Sequence, residues 1–294
     1  MSFLKRLFGK SSTPSVRKRA DQPDVYNISN TDDAMTWGIR KANLTIGYFQ
    51  NSLAQPRPDQ QYFSVKAEIN DGAKTEHIWL TEPHFDEEGN MFGTVGNEPI
   101  DVRNVRLGEK VGVAPDKISD WMILEQGRLI GGYTIRAVRD GLSGKALARF
   151  DASLGGMVVD EGVDYFPADL STPEGAILSL EAAYDADDLD RAMACKDFRT
   201  EAEEMASSQG LPITEEIIME LAEVIRLSFV QHLQEHGMPK FHGMTRAFPT
   251  REPMGENKYL VTEICTDANG RKSMNRLPVV KVGSEWKVLA PTGA

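Results

Sequence analysis

Three polar residues on two predicted strands have side chains suited to acid–base chemistry. Glu76 and His77 are adjacent, and Asp120 follows later in the run Ser119-Asp120-Trp121-Met122. Carboxylates and imidazoles are the commonest proton donors and acceptors in enzymes. No nucleophile stands at a spacing that would complete a catalytic set with them, so the sequence favours packed or hydrogen-bonded sheet residues. We therefore predict no catalytic residue and keep Glu76, His77 and Asp120 as candidate binding residues.

A second pattern, His232-Leu-Gln-Glu235-His236, matches the H-x-x-E-H arrangement of some zinc proteases. Two His residues four positions apart lie on one helix face, and a Glu between them can act as a base. The third ligand should come from a later helix, yet only strands are predicted after His236. We therefore expect a solvated last helical turn and no metal site.

Other polar clusters give weaker indications. The acidic stretch 185–190 lacks the central Gly and the final Glu of a calcium loop, so a capped turn between helices is expected. Cys195 and Cys265 lie beside apolar residues and are predicted to be buried thiols. Phosphate-loop, dinucleotide and nucleophile-elbow motifs are absent, so we predict no cofactor.

The elements that should hold Glu76, His77 and Asp120 form a small α+β domain over residues 27–140. An apolar stripe between capping residues 29–31 and Pro56 predicts one helix. Alternating or apolar runs separated by turns then predict an antiparallel sheet. Its strands are expected at 62–69, 75–81, 91–95, 102–107, 110–113, 118–124 and 129–138.

The second half has a different order of elements. Residues 141–170 predict a connector with one hairpin, and residues 171–294 predict helices followed by strands, again α+β. The helices are expected near 172–184, 189–198 and 214–236. The strands are expected at 241–248, 258–265, 273–282 and 286–289.

Charge is uneven along the chain. Residues 1–20 carry six basic residues and no acid, and since the chain totals −11, the remaining residues carry a net charge of −17. Such an acidic body repels nucleic acid and attracts a basic partner. Residues 1–26 predict a flexible basic tail, and contact of residues 1–20 with an anionic membrane surface is the alternative. Two cysteines and no secretory signal favour a cytoplasmic protein.

Several ordered motifs in the first domain carry a family resemblance. They are Phe63-Ser-Val-Lys66, Glu76-His77-Ile78-Trp79-Leu80, Asn97-Glu98-Pro99, the Gly108 turn, Ser119-Asp120-Trp121-Met122 and Gly131-Gly132-Tyr133-Thr134. With the opening helix, they make residues 30–138 resemble a bacterial domain of unknown function, DUF family twenty-three-fourteen. The resemblance implies a small non-catalytic module of a type that occurs among immunity proteins, which neutralise secreted bacterial toxins.

The second domain carries the phrase Thr172-Pro-Glu and then Ala-Tyr184-x-x-x-Asp188-Leu-Asp190. With its helices and curved sheet, residues 171–294 resemble the cone fold of nuclear transport factor two. That family includes enzymes, ligand binders and dimerisation modules, so the fold implies no particular chemistry. A cone offers a pocket between sheet and long helix, and Tyr184, Phe229, Phe241 and Trp286 are the expected lining, although they would equally serve as core.

Together these features favour a non-enzymatic bacterial protein that acts by protein–protein binding. The specific hypothesis is an immunity protein that binds and blocks a basic toxin. The alternative is a small-molecule-binding or catalytic cone in the second half. A homo-oligomeric scaffold also fits, since such sheets often pair.

Overall fold

The computed structural model describes residues 15–17, 25–27, 33–160 and 162–291 and divides into two compact units, 1–162 and 163–294. The fold is α+β, with two larger antiparallel sheets, as predicted. The predicted basic tail lies outside the described residues except for two short paired strands, β1 (Ser15–Arg17) and β2 (Val25–Asn27). No described helix has the length and apolar character needed to span a membrane.

The first unit is built on a six-stranded antiparallel sheet. Its strands are β3 (Gln60–Asp71), β4 (Lys74–Phe85), β5 (Met91–Val95), β6 (Lys110–Val113), β7 (Ile118–Glu125) and β8 (Arg128–Gly131). Their order across the sheet is β6-β5-β4-β3-β7-β8. The predicted tight turn does join β3 to β4, with Asp71 opposite Lys74 and Gly72 at a positive φ of 61°. This places Glu76 and His77 on β4 and Asp120 on β7, the two strands that flank β3 in the middle of the sheet.

Two helices occupy the region where one was predicted. They are α1 (Asp33–Leu44) and α2 (Ile46–Ala54), separated at Thr45. The Trp121 indole N–H donates to the Ala42 carbonyl oxygen at 3.1 Å and to Thr45 Oγ1 at 3.1 Å. In a continuous helix the Ala42 carbonyl oxygen would accept a hydrogen bond from the N–H of Ile46, four residues later. The hydrogen bond from Trp121 on β7 therefore coincides with the break between α1 and α2.

The predicted strand 129–138 is wrong beyond Gly131, because residues Tyr133–Asp140 form helix α3. The Asp120 carboxylate accepts from the backbone N–H groups of Tyr133 and Thr134, at 3.1 and 2.8 Å. These are first-turn donors that have no partner within a helix. A residue distant in sequence therefore caps α3, and the local pattern could not reveal it.

Two other segments differ from their predictions. Residues 102–107 form a loop instead of a strand, and the predicted connector contains helix α4 (Gly144–Ser153). In place of a hairpin, Val158 pairs with the start of β8 through two backbone hydrogen bonds of 2.8 and 2.9 Å.

Gly131 lies where β8 turns toward α3, at a φ of 69°. A Cβ there would come within 2.5 Å of both the Trp121 ring and its carbonyl oxygen. We expect Gly131→Ala to lower the free energy of unfolding by about 3 kcal/mol or more, since backbone strain adds to overlap with a buried ring. Gly155→Ala is the matched control, with a φ of 64° and open space around its Cβ. Urea denaturation of both variants measures the difference, and equal losses would contradict the role of the Trp121 contact.

Over its described residues, the second unit combines four helices with a four-stranded antiparallel sheet of order β12-β11-β10-β9. The helices are α5 (Pro173–Asp185), α6 (Leu189–Ala194), α7 (Phe198–Gln209) and α8 (Glu215–His236). The strands are β9 (Thr245–Gly255), β10 (Lys258–Thr266), β11 (Lys272–Val282) and β12 (Glu285–Val288). Helix α5 begins as predicted, with Thr172 Oγ1 accepting from Gly175 N–H at 2.9 Å and Pro173 in the first turn. Helix α7 was not predicted.

Candidate functional site

Glu76 on β4 is an anchor for the loop that follows β5. Its carboxylate accepts from the backbone N–H groups of Ile100 and Asp101, both at 2.8 Å, and of Val102 at 3.3 Å. A buried carboxylate that bonds consecutive amides fixes their backbone. This arrangement explains why an acid occupies a largely apolar strand face.

His77 takes part in a hydrogen-bond chain that begins at β3. Ser119 Oγ donates to the Lys66 carbonyl oxygen at 3.2 Å and lies 2.9 Å from His77 Nδ1. Since the hydroxyl proton is used on Lys66, Nδ1 donates to Ser119 and Nε2 is left with a lone pair. Nε2 is buried and has no hydrogen-bond partner among the described residues. Burial, and then the Lys66 charge, lower the pKa of His77, so the ring is neutral at neutral pH.

Beside this chain lie Asp120, which is fully buried, and Lys66, which is partly buried and attracted to the Asp120 carboxylate. Asp120 accepts from Thr134 Oγ1 at 2.6 Å and from the Trp121 N–H at 2.8 Å, in addition to its bonds to α3. Lys66 Nζ donates to Thr134 Oγ1 at 3.3 Å. Burial raises the pKa of Asp120 and lowers the pKa of Lys66, and the attraction between the two groups opposes both shifts. The structure thus brings Asp120 and His77 into one polar cluster, with Lys66 and Ser119 between them, and places Glu76 apart.

A cavity of about 180 Å³ adjoins this cluster. It is lined by His77, Ser119, the Glu68–Lys117 ion pair at 2.9 Å, and residues of α1. Its size and mixed polarity suit a small polar group. It is the feature nearest to a ligand site around the candidate residues of the first unit.

The four aromatic residues predicted to line a pocket fall into three separate ring pairs. Tyr184 and Phe241 lie together, stacked at 6.5 Å between ring centroids. Phe229 instead packs on Phe198 at 5.7 Å. Trp286 packs on Tyr259 at 5.5 Å. The structure therefore brings two of the four together.

The second unit contains a buried charged cluster that the sequence interpretation missed. Arg246 Nε on β9 donates to Glu181 Oε2 on α5 at 2.8 Å and lies 3.5 Å from Glu263 Oε1 on β10. All three side chains are buried. Burial, and then the nearby Glu263 charge, raise the pKa of Glu181 to about 8, while Arg246 opposes the rise. Cys265 lies in the same cluster, where burial and then Glu263 raise its pKa to about 12.

A second buried pair continues along α5, with Arg251 Nη1 3.2 Å from Glu174 Oε2 and its guanidinium 5.0 Å from the Tyr259 ring. Glu174 and Glu181 are seven residues apart, so they lie two turns apart on one helix face. The sequence signal for this network was a pair of acidic residues on one face of a helix whose other residues are mostly small or apolar. Acids are almost never fully buried unless paired.

The remaining polar motifs lie at the surface. The rings of His232 and His236 stack at 4.5 Å and are exposed, and neither belongs to a group of three potential metal ligands among the described residues. In the acidic stretch, Asp188 caps α6 by accepting from Arg191 N–H at 3.0 Å. Asp185 accepts from Phe241 N–H at 2.6 Å. The stretch therefore makes caps and turn contacts.

The first unit matches a known protein family. Residues 32–157 match the family described as an uncharacterized protein conserved in bacteria, DUF2314. This supports the resemblance drawn for residues 30–138 and extends it through α3 and α4. Nothing among the comparisons shows a nuclear-transport-factor-two-like fold in the second half.

Two curated relatives match the chain. A Neisseria meningitidis serogroup B protein named for ankyrin repeats is 31% identical over 139 residues, which cover 45% of this chain and 54% of the relative. The uncharacterized protein YegJ of Escherichia coli K12 is 39% identical over 79 residues, 27% of this chain and 51% of the relative. The chain thus spans about half the length of the curated relatives it matches. No solved structure matches it significantly.

Proposed function

We propose that this protein acts by binding another protein along the outer face of helix α8. The observation that carries the proposal is the burial of this helix, which has 22 residues but only two buried ones, Ile218 and Leu233. Met219, Val224 and Leu227 are 62%, 59% and 52% exposed. Exposed apolar side chains grouped on one helix face are typical of helix-mediated recognition.

Charge supports a basic partner. Exposed Glu216, Glu220 and Glu235 lie among the apolar residues of α8, and the chain as a whole carries −11. Acidic side chains interspersed with apolar contacts speed the association of a basic protein and disfavour acidic competitors. A groove of about 280 Å³ beside Met219, lined also by Phe198 and Ala222, offers room for an inserted side chain.

The concrete form of the proposal is an immunity protein that binds and blocks a basic toxin in the cytoplasm. The acidic charge, the match to the bacterial domain family and two free, buried cysteines support it. The test is to co-express the full chain with the product of the neighbouring reading frame. Stable co-purification and protection of cells from that product are expected. Recovery of the chain alone, without protection, would remove the immunity role.

Leu227→Glu tests the surface itself. A charge at the centre of an apolar contact is expected to weaken binding of that partner by about a hundredfold, a hot-spot effect. Met274→Glu is the matched control, because Met274 is 68% exposed but lies on β11. Calorimetric titration measures both affinities. Equal effects of the two substitutions would contradict the assignment to α8, and loss of a dimer in light scattering with Leu227→Glu would mean that the face pairs with a second copy.

A second candidate function places small-molecule binding or catalysis in the second unit as a cone-like domain. The observation that favours it is the buried cluster of Glu181, Arg246 and Glu263 between α5 and the sheet, since perturbed carboxylates concentrate at functional sites. Substitution of Glu181 by Gln should then abolish ligand binding while the unit stays folded. Unchanged binding of a ligand found by screening would count against this function.

A further inference from the structure

We propose that Glu181, Glu263 and Cys265 bind a zinc ion in the core of the second unit. One potential ligand atom from each residue lies within 4.8 Å of the other two, and all three residues are buried. Glu263 and Cys265 are two residues apart on β10, so both side chains project from one face of the strand. Glu181 approaches that face from α5.

The ligand types select the metal. Zinc accepts carboxylate oxygen and thiolate sulfur together, at bond lengths of about 2.0 to 2.3 Å in a tetrahedral arrangement. Those bond lengths place the ligand atoms roughly 3.5 Å apart, so small side-chain movements bring the observed set into position. Calcium and magnesium prefer oxygen ligands alone, and the thiol therefore argues against them.

An orphaned atom points into the cluster. Glu263 is 1% exposed, and its Oε1 makes no hydrogen bond among the described residues; the guanidinium atom Arg246 Nε lies 3.5 Å away. Its other oxygen, Oε2, accepts from Asn275 Nδ2 at 3.1 Å. A buried carboxylate oxygen without a hydrogen bond is costly, and a metal bond to Oε1 would satisfy it.

The charges of the cluster also balance around zinc. In the zinc-free core Glu181 keeps a proton, so the Glu263 carboxylate and the Arg246 guanidinium balance each other. A zinc ion bound to both carboxylates and to a Cys265 thiolate keeps the total charge at zero, because coordination displaces the protons of Glu181 and Cys265.

Two neighbouring residues would position the ligands. Arg246 Nε already holds Glu181 Oε2, and the Asn275 amide holds Glu263 and lies 3.8 Å from Cys265 Sγ. Hydrogen bonds of this kind orient first ligands and strengthen metal binding. The bound ion would tie α5 to β10 and stabilise the unit.

Cobalt substitution tests the site in the full chain. Because the ligands are buried, the protein is unfolded and refolded with Co²⁺ or Zn²⁺, and with Mg²⁺ as a control ion. We expect a thiolate-to-cobalt charge-transfer absorption and one zinc per chain in native mass spectrometry. At a hundredfold excess of zinc over its Kd, Tm should rise by roughly 10 °C, with no rise in magnesium.

The two cysteines give a matched pair of variants. Cys265→Ser should abolish the charge-transfer band and the zinc-dependent rise in Tm, whereas Cys195→Ser, which removes the other buried thiol, should keep both. Glu263→Gln should weaken zinc binding at least about tenfold. It is the alternative test of the site if Cys265→Ser fails to fold. A cobalt spectrum without the thiolate band would overturn the proposal. A charge-transfer band that survives Cys265→Ser would overturn it as well. So would a zinc-dependent rise in Tm that survives Cys265→Ser, which is the result that zinc binding at His232 and His236 would give.

Discussion

Asp120→Ala is expected to lower the free energy of unfolding of the first unit by about 3 to 5 kcal/mol. The substitution removes the acceptor for the backbone N–H groups of Trp121, Tyr133 and Thr134 and for the Thr134 hydroxyl. It also removes the carboxylate whose charge attracts the partly buried Lys66 ammonium. Helix α3 should lose its cap at the same time.

Urea denaturation followed by tryptophan fluorescence measures this loss, since three of the four tryptophans lie in the first unit. Asp116→Ala is the matched control. Asp116 is exposed four residues away, so a change within about 0.5 kcal/mol is expected. If both variants lost the same stability, the hydrogen bonds of Asp120 would not be what stabilises the α3 junction.

The sequence predicts those elements whose causes are local. The β3–β4 hairpin follows from Asn70-Asp71-Gly72, and the start of α5 follows from Thr172 and Pro173, because turn and cap chemistry act within a few residues. Helix α3 was read as strand because its cap is supplied by Asp120, thirteen residues before Tyr133. The split between α1 and α2 likewise depends on Trp121, a contact across 79 residues.

The same distinction applies to the candidate sites. The sequence singled out Glu76, His77 and Asp120 because polar residues on apolar strands are conspicuous, and all three have specific polar contacts in the structure. It missed the cluster of Glu181, Arg246 and Glu263, whose members come from one helix and two strands. No spacing along the chain encodes such a meeting. Only the packing of α5 on the sheet creates it.

Arg246→Met is expected to lower the free energy of unfolding of the second unit by about 3 to 5 kcal/mol. The guanidinium is the only cation that the structure records within ion-pair distance of Glu181 and Glu263 among the described residues. Removing it leaves the carboxyl groups of Glu181 and Glu263 close together in the core without this cation. Arg276→Met is the matched control, because Arg276 also pairs with a Glu across the same sheet but both side chains are about half exposed. Its loss should stay at or below about 1 kcal/mol.

The pH dependence separates a charge effect from a packing effect. In zinc-free protein, burial and the neighbouring Glu263 raise the pKa of Glu181 from 4.5 to about 8, so the folded state keeps a proton that the unfolded state releases. Stability from this group is therefore full below pH 4.5 and is lost as pH rises toward 8. Because Arg246 lowers this pKa, Arg246→Met should raise it further, so its stability deficit should grow from about pH 7, where both folded proteins keep the Glu181 proton, to about pH 10, where the parent has released it. Urea denaturation at the two pH values measures the deficit. A deficit that is the same at both would mean that Arg246 stabilises the unit by packing alone, as its guanidinium over the Phe241 ring at 5.1 Å permits.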